Sequence, residues 1–152
     1  MSDFEIRDEA YDSPAAQQLI AAVQGEYVVR YGGPDEAPID GAEFAPPDGL
    51  FLVGYLDNKP VATGGLRRHG DGEVELKRMY VVPEARGKGL SRIMLAELEE
   101  RARGLGAGRI VLETGNRQPE AVSLYETSGY TRIEGFGFYA DAPLSISFEK
   151  TL

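Results

Sequence analysis

The sequence has 152 residues, a net charge of -9, and 42% apolar and 27% charged side chains, the balance expected of one globular domain spanning residues 1–152. It has no cysteine and a single histidine, His69, which argues against disulfides, thiolate metal sites, a cysteine nucleophile, a histidine zinc site and a serine–histidine triad. No bound metal is expected. The start, MSDFEIRDEA, is acidic and polar, unlike a signal peptide, and no apolar run approaches the ~20 residues of a membrane span, so the expectation is a soluble cytoplasmic protein without a membrane partner. Residues 1–60 carry 12 acidic and 3 basic side chains, whereas residues 61–152 carry 13 of each. A nucleic-acid binder presents a basic face, so no nucleic-acid partner is expected. The acidic first 60 residues suit either a cationic small molecule or a solubilising surface.

In chain order, Phe4 to Arg7 alternates and reads as a short strand. Ser13-Pro14 reads as a helix cap followed by a first-turn proline, and Leu19, Ile20, Val23 and Tyr27 follow at helical spacing until Gly32-Gly33-Pro34. Residues 34–48, PDEAPIDGAEFAPPD, hold four prolines and five acids with no base, which reads as a loop with at most one helical turn and as a candidate lid. Strands are expected at Leu50–Leu56, Pro60–Arg68 and Glu73–Val82, with turns at Asp57-Asn58 and Gly70-Asp71-Gly72. A helix with Leu90, Ile93, Met94 and Leu98 on one side follows, with Gly104 as its cap. The spacing then predicts a strand at Arg109–Glu113, a helix from Pro119 to Gly129, and closing strands at Tyr130–Ile133 and Leu144–Lys150. This order, a strand meander and then strand–helix–strand–helix–strand, predicts an α/β (α+β) fold. Its central sheet would be mixed, mostly antiparallel and about seven-stranded, with helices on both faces.

The segment VVPEARGKGLSRIML feeds a strand into a glycine-containing turn that opens directly into a helix. Gly87 and Gly89 can adopt φ > 0 and admit a ligand close to the backbone, so successive N–H groups at a helix mouth would face one anion. The helix dipole supplies only ~0.3–1 kcal/mol, up to ~2 when partly buried, so backbone hydrogen bonds and the cations Arg86, Lys88 and Arg92 must supply the rest. Two phosphate motifs fail here. The P-loop needs Ser or Thr where Gly89 follows Lys88, and the dinucleotide fingerprint needs a third glycine where Arg92 stands. A turn rich in glycine for steric reasons alone is the plainer reading of the same residues.

Arg86-x-x-Gly89-x-Ser91 resembles the Gln/Arg-x-x-Gly-x-Gly/Ala signature of the GCN5-related N-acetyltransferases (GNAT), and Leu124-Tyr125-Glu126-x-x-Gly129-Tyr130 resembles that family's Leu-Tyr-Glu-x-x-Gly-Phe segment. The resemblance covers residues 50–133 well and the rest by element order. It implies a GNAT-like fold and acetyl-CoA as co-substrate, with the coenzyme diphosphate on Arg86, Gly87, Lys88, Gly89, Leu90 and Ser91. It also implies that main-chain groups of Met79, Tyr80 and Val81 bind the acetyl carbonyl and pantetheine on a strand splayed by a bulge. Two departures stand out. Ser91 adds a hydroxyl where the family has Gly or Ala, and Gln118 stands where many members carry an asparagine, with Asn116 as a nearby substitute.

By the same resemblance Glu75, 11 residues before Arg86, is the candidate general base and Tyr125 the candidate general acid. The chemistry needs both. A lysine-like amine is neutral in about one molecule in a few thousand at pH 7, a deficit of roughly 4–5 kcal/mol, and general acid–base catalysis contributes ~10²–10⁴. Alternation places Glu75 on one strand face with Lys77 and Met79. The plainer alternatives are an ion-paired strand residue for Glu75 and a packed core tyrosine for Tyr125.

The expected activity is direct acetyl transfer to a small-molecule primary amine, cationic in character, in a ternary complex, since no cysteine can carry the acetyl group. A protein lysine or N-terminal amine is the same-class rival, a non-catalytic acyl-CoA sensor the rival from another class, and a dinucleotide-binding oxidoreductase a distant third. Tyr27, Tyr31 and the 34–48 loop are candidates for the acceptor pocket. His69 reads as a surface residue and Gly104-x-Gly106-x-Gly108 as a helix stop. Gly64-Gly65 reads as a bulge or a close ligand approach. The tail FGFYADAPLSISFEKTL is a candidate either for homodimer formation or for closing the pocket.

Overall fold

The computed structural model describes residues 3–152. Its elements are β1 (Phe4–Asp8), α1 (Pro14–Tyr31), β2 (Gly49–Leu56), β3 (Lys59–Gly70), β4 (Glu73–Val81), α2 (Leu90–Gly104), β5 (Arg109–Gly115), α3 (Pro119–Thr127), β6 (Thr131–Ile133) and β7 (Ser145–Thr151). The residues between α1 and β2 contain one 3-10 turn, Gly41–Phe44. The strands form one seven-stranded sheet in the order β1-β2-β3-β4-β5-β7-β6. Only β4 and β5 run parallel, because α2 carries the chain across between them. The expected mixed, mostly antiparallel sheet is thus observed. Among the described residues, no helix is long and apolar enough to cross a membrane.

Local chemistry explains the boundaries. The Ser13 hydroxyl accepts the Ala16 N–H at 3.1 Å, Pro14 opens α1, and Gly32 ends it at φ +81 while its N–H bonds the Val28 carbonyl. Asp57 and Asn58 both take positive φ in the β2–β3 turn, and Gly72 does so in the β3–β4 turn. The end of α2 differs from expectation. Gly104 is its last helical residue, and the left-handed position falls at Gly106 (φ +83), whose N–H bonds the Arg103 carbonyl.

Residues Leu50–Val53 and Val61–Leu66 are buried without alternation, the mark of strands covered on both faces. Gly64 and Gly65 show how. A Cβ on Gly64 would lie 2.5 Å from Leu98 of α2, whereas one on Gly65 would lie 2.7 Å from Phe44 of the 3-10 turn. Neighbouring glycines therefore admit layers on opposite faces. Phe44 stacks on Tyr11 at 5.1 Å and meets Phe51 edge-on, which pins the acidic 34–48 segment to the sheet. Gly49 closes this segment where no side chain fits, since its Cβ would stand 2.2 Å from the Glu43 carbonyl oxygen and 2.3 Å from that of Leu66. Gly49→Ala is expected to destabilise by ~1–3 kcal/mol and to lower the melting temperature by roughly 2–12 °C; an unchanged thermal transition would contradict this packing.

Candidate active site

Two features of the sheet make the site. The β4–β5 pairing runs from Glu73↔Arg109 only to Leu76↔Leu112, after which the parallel strands part. The β3–β4 register shifts between Thr63 and Gly65, and in this bulge Arg78 takes φ +59, rare for a residue with a side chain. The strain is held by its surroundings: the Thr63 hydroxyl donates to the Arg78 carbonyl at 2.7 Å, and an Arg78 Nη donates to Asp35 at 2.9 Å. The bulge also breaks the alternation expected along β4, so Leu76, Lys77, Arg78 and Met79 all line the opening.

A cavity of about 490 Å³ fills the opening between the strands. Tyr27 and Tyr31 of α1, the 32–36 segment, Tyr139 and residues 142–145 enclose it. A second cavity, about 230 Å³, runs along β4 to the mouth of α2 and is lined there by Arg86, Gly87, Gly89, Leu90 and Ser91. Met79, Gln118, Ala121 and Tyr125 line both cavities and mark where they meet.

Among the described residues, the helix mouth leaves its first main-chain N–H groups without main-chain partners. Gly87 (φ +80) and Gly89 (φ +76) are left-handed, and Gly89 caps α2 without a side-chain hydrogen bond. The Arg86 N–H bonds the Pro83 carbonyl and the Ile93 N–H bonds the Gly89 carbonyl; among the described residues, no main-chain N–H between them has a main-chain partner. A Cβ at either glycine would meet nothing within 4 Å. Of the three cations expected here, Arg86 alone lines the cavity. Its Nε donates to the Val81 carbonyl at 2.9 Å and its Nη2 to both Glu26 oxygens at 2.9 and 3.0 Å. Arg92 turns away to the Thr127 and Ser128 hydroxyls, and Lys88 is exposed outside the lining. Met79, Tyr80 and Val81 line this second cavity as well.

At the junction Tyr125 is buried, 5.5 Å from the Tyr130 ring and 5.9 Å from Phe148, and burial pushes its phenol well above the ordinary tyrosine range. Gln118 precedes α3 and accepts the Tyr31 hydroxyl at 3.2 Å. Asn116 lines neither cavity; its N–H bonds the Leu144 carbonyl at 2.8 Å. Glu75 lines neither cavity and is buried, with the Arg67 Nε donating to its carboxylate at 2.9 Å.

A family model described as the acetyltransferase (GNAT) family matches residues 15–130. This chain is a GNAT acetyltransferase. The IAA acetyltransferase of Azospirillum brasilense is 33% identical to it over 153 residues, covering 100% of both chains. The Escherichia coli N-acetyltransferase YjgM, itself uncharacterised, is 30% identical over 132 residues, 81% of this chain and 78% of that one. A Klebsiella pneumoniae structure of a proposed acyl-CoA N-acyltransferase superposes with a TM-score of 0.82 at 30% identity, over 98% of this chain and 97% of that one. The fold is shared further with the Thermoplasma acidophilum PaiA N-acetyltransferase solved with coenzyme A, at 18% identity and a TM-score of 0.73 over 99% of each chain.

Three polar groups of the GNAT acetyltransferase's larger cavity escaped the sequence reading: Asp35, Arg78 and Glu113. Asp35 accepts Lys77 Nζ at 3.1 Å, Arg78 Nη1 at 2.9 Å, Tyr139 Oη at 2.8 Å and the Ala37 N–H at 2.9 Å. Burial pushes its carboxyl up, but Lys77, these hydrogen bonds and Arg78 hold it below the ordinary value. Its place among five acids of a proline-rich loop gave no hint of this. Glu113 is the acid that directly follows the apolar run Ile110–Leu112 of β5, a signal that was available in the sequence. Tyr27, Tyr31 and the start of the 34–48 loop do line the cavity, whereas His69 lies outside both cavities on the β3–β4 hairpin, against Glu73 and edge-on to Phe136.

Proposed function

We propose that this enzyme, a single domain over residues 1–152, transfers the acetyl group of acetyl-CoA directly to a small primary amine that arrives as a cation. The observation that carries the reading is the meeting of the two cavities at Met79, Gln118, Ala121 and Tyr125, which gives a nucleotide thioester and an amine one common point. The diphosphate would take the free N–H groups from Gly87 to Ser91, with Arg86 released from Glu26 to join it. The pantetheine arm would follow β4, where the edge beyond Leu76 has lost its strand partner. Main-chain dipoles of Met79 to Val81 would then face the oxyanion, a contribution of ~10²–10³ for one such donor elsewhere. Tyr125 would hydrogen-bond the departing sulfur.

The chain has no cysteine, which supports direct attack by the amine in a ternary complex. A cavity of about 490 Å³ walled by loops favours a small acceptor over a protein segment. The test is coenzyme A release from acetyl-CoA with spermidine, tyramine, an amino acid, an aminoglycoside and a lysine peptide side by side. The expected result is thiol release with at least one small amine and none with the peptide. Tight acetyl-CoA binding without thiol release would instead make the protein a sensor.

A further inference from the structure

We infer that Glu113, rather than Glu75, is the catalytic residue that takes the proton from the acceptor ammonium; this rests on the acetyltransferase reading above. Leu112 is the last β5 residue paired with β4, so Glu113 occupies the first position past the fork and lines the larger cavity. Glu75 lies on the closed side of the fork, opposite Val111 in the β4–β5 register. Its carboxylate is held by Arg67, which also donates to Glu43 and to the Pro38 carbonyl at 3.2 Å each.

Glu113 has no such lock. Its one hydrogen-bond donor among the described residues is the Ser145 hydroxyl, at 3.4 Å. The charged groups around it are Lys77 and Glu75 from β4 and Asp35 from the 34–48 segment, and Lys77 is already engaged by Asp35. Gly137, at φ +68, packs beside it, and a Cβ there would lie 3.4 Å from a Glu113 oxygen. Burial, with Glu75 and Asp35 adding to it against Lys77 and Ser145, raises the Glu113 carboxyl to about 6. Such a group is mostly ionised at pH 7 and still accepts a proton readily, the condition a general base needs. Glu75 then acts through Glu113, as a like charge that raises its proton affinity, and is a positioning residue.

The step balances. One ammonium proton passes to Glu113, the freed lone pair forms the C–N bond, and the C–S bond breaks. The second proton leaves the nitrogen as the amide forms and ends on the sulfur.

The test compares Glu113→Gln, Glu113→Asp and Glu75→Gln with the native enzyme, using ethylamine, protonated at neutral pH, and hydroxylamine, which arrives neutral. Glu113→Gln is expected to lose ~10²–10⁴ in turnover of ethylamine while hydroxylamine turnover stays within about threefold and acetyl-CoA affinity is unchanged. The native profile of kcat/KM should fall as pH drops through about 6, Glu113→Asp should retain that limb at a lower rate, and Glu75→Gln should move it to more acid pH. Equal losses with both nucleophiles, or a limb that survives Glu113→Gln and vanishes with Glu75→Gln, would overturn the assignment. A carbon-13 carboxyl titration of the acetyl-CoA complex gives the same answer without an acceptor: a Glu113 signal titrating at the ordinary glutamate value overturns it. Failure of the native enzyme to turn over either nucleophile, with Glu113 titrating near 6, would count against the acetyltransferase reading and leave the elevated carboxyl in place.

Discussion

Gly89→Val is expected to weaken acetyl-CoA binding by a factor of about 10²–10⁴ with the fold intact. Gly89 sits at φ +76, where a β-branched residue costs on the order of 1–3 kcal/mol. The valine can escape that strain only by turning the peptide, and turning it withdraws the N–H groups of the helix mouth. Each hydrogen bond to a charged group is worth ~1.5–3 kcal/mol, so losing two removes roughly 3–6 kcal/mol of binding. Nothing lies within 4 Å of a Cβ at this position, so the protein itself has no clash to suffer. Calorimetric titration with acetyl-CoA checks it, with the melting temperature as the control. Retained micromolar affinity would refute the assignment of the diphosphate to this turn.

Tyr125→Phe is expected to lower kcat by about 10²–10³, the loss typical of one preorganised donor, with acetyl-CoA affinity little changed. The ring keeps its place, since it packs edge-on against Tyr130 and at an angle on Phe148 and needs no hydroxyl for either contact. Burial holds the phenol protonated across the working pH range, and a free thiol of pKa ~8.5 is the stronger acid. On the proposed reading Tyr125 would stabilise the leaving thiolate as a hydrogen-bond donor, since full proton transfer from its phenol to sulfur is uphill. Pre-steady-state acetyl transfer and equilibrium binding, measured on the same variant, separate the two effects. An unchanged kcat removes Tyr125 from the mechanism.

What could be read from the sequence was what lies close together along it. Ser13-Pro14, Gly70-Asp71-Gly72 and the turn from Arg86 to Ser91 each act within a few residues, and the elements they delimit appear where the sequence places them. The cavities need long-range facts. Arg78 is a non-glycine residue in a left-handed bulge, a conformation set by Thr63 and Asp35 and not by its own chemistry. Asp35 reaches Lys77 across 42 positions of chain. Glu75 and Glu113 differ in access because parallel pairing stops at Leu112, which no local pattern announces. That Gln118 lines both cavities while Asn116 lines neither and bonds Leu144 through its main-chain N–H likewise depends on the chain path into α3.

The claim on which the rest stands is that free amides at the mouth of α2 hold a coenzyme diphosphate. A crystal structure of the acetyl-CoA complex tests it most directly. The account predicts diphosphate oxygens within hydrogen-bond distance of the Gly87 to Ser91 N–H groups, Arg86 parted from Glu26, and the thioester between Met79 and Tyr125. Coenzyme A seated elsewhere, with Glu26 still closing on Arg86, would contradict it.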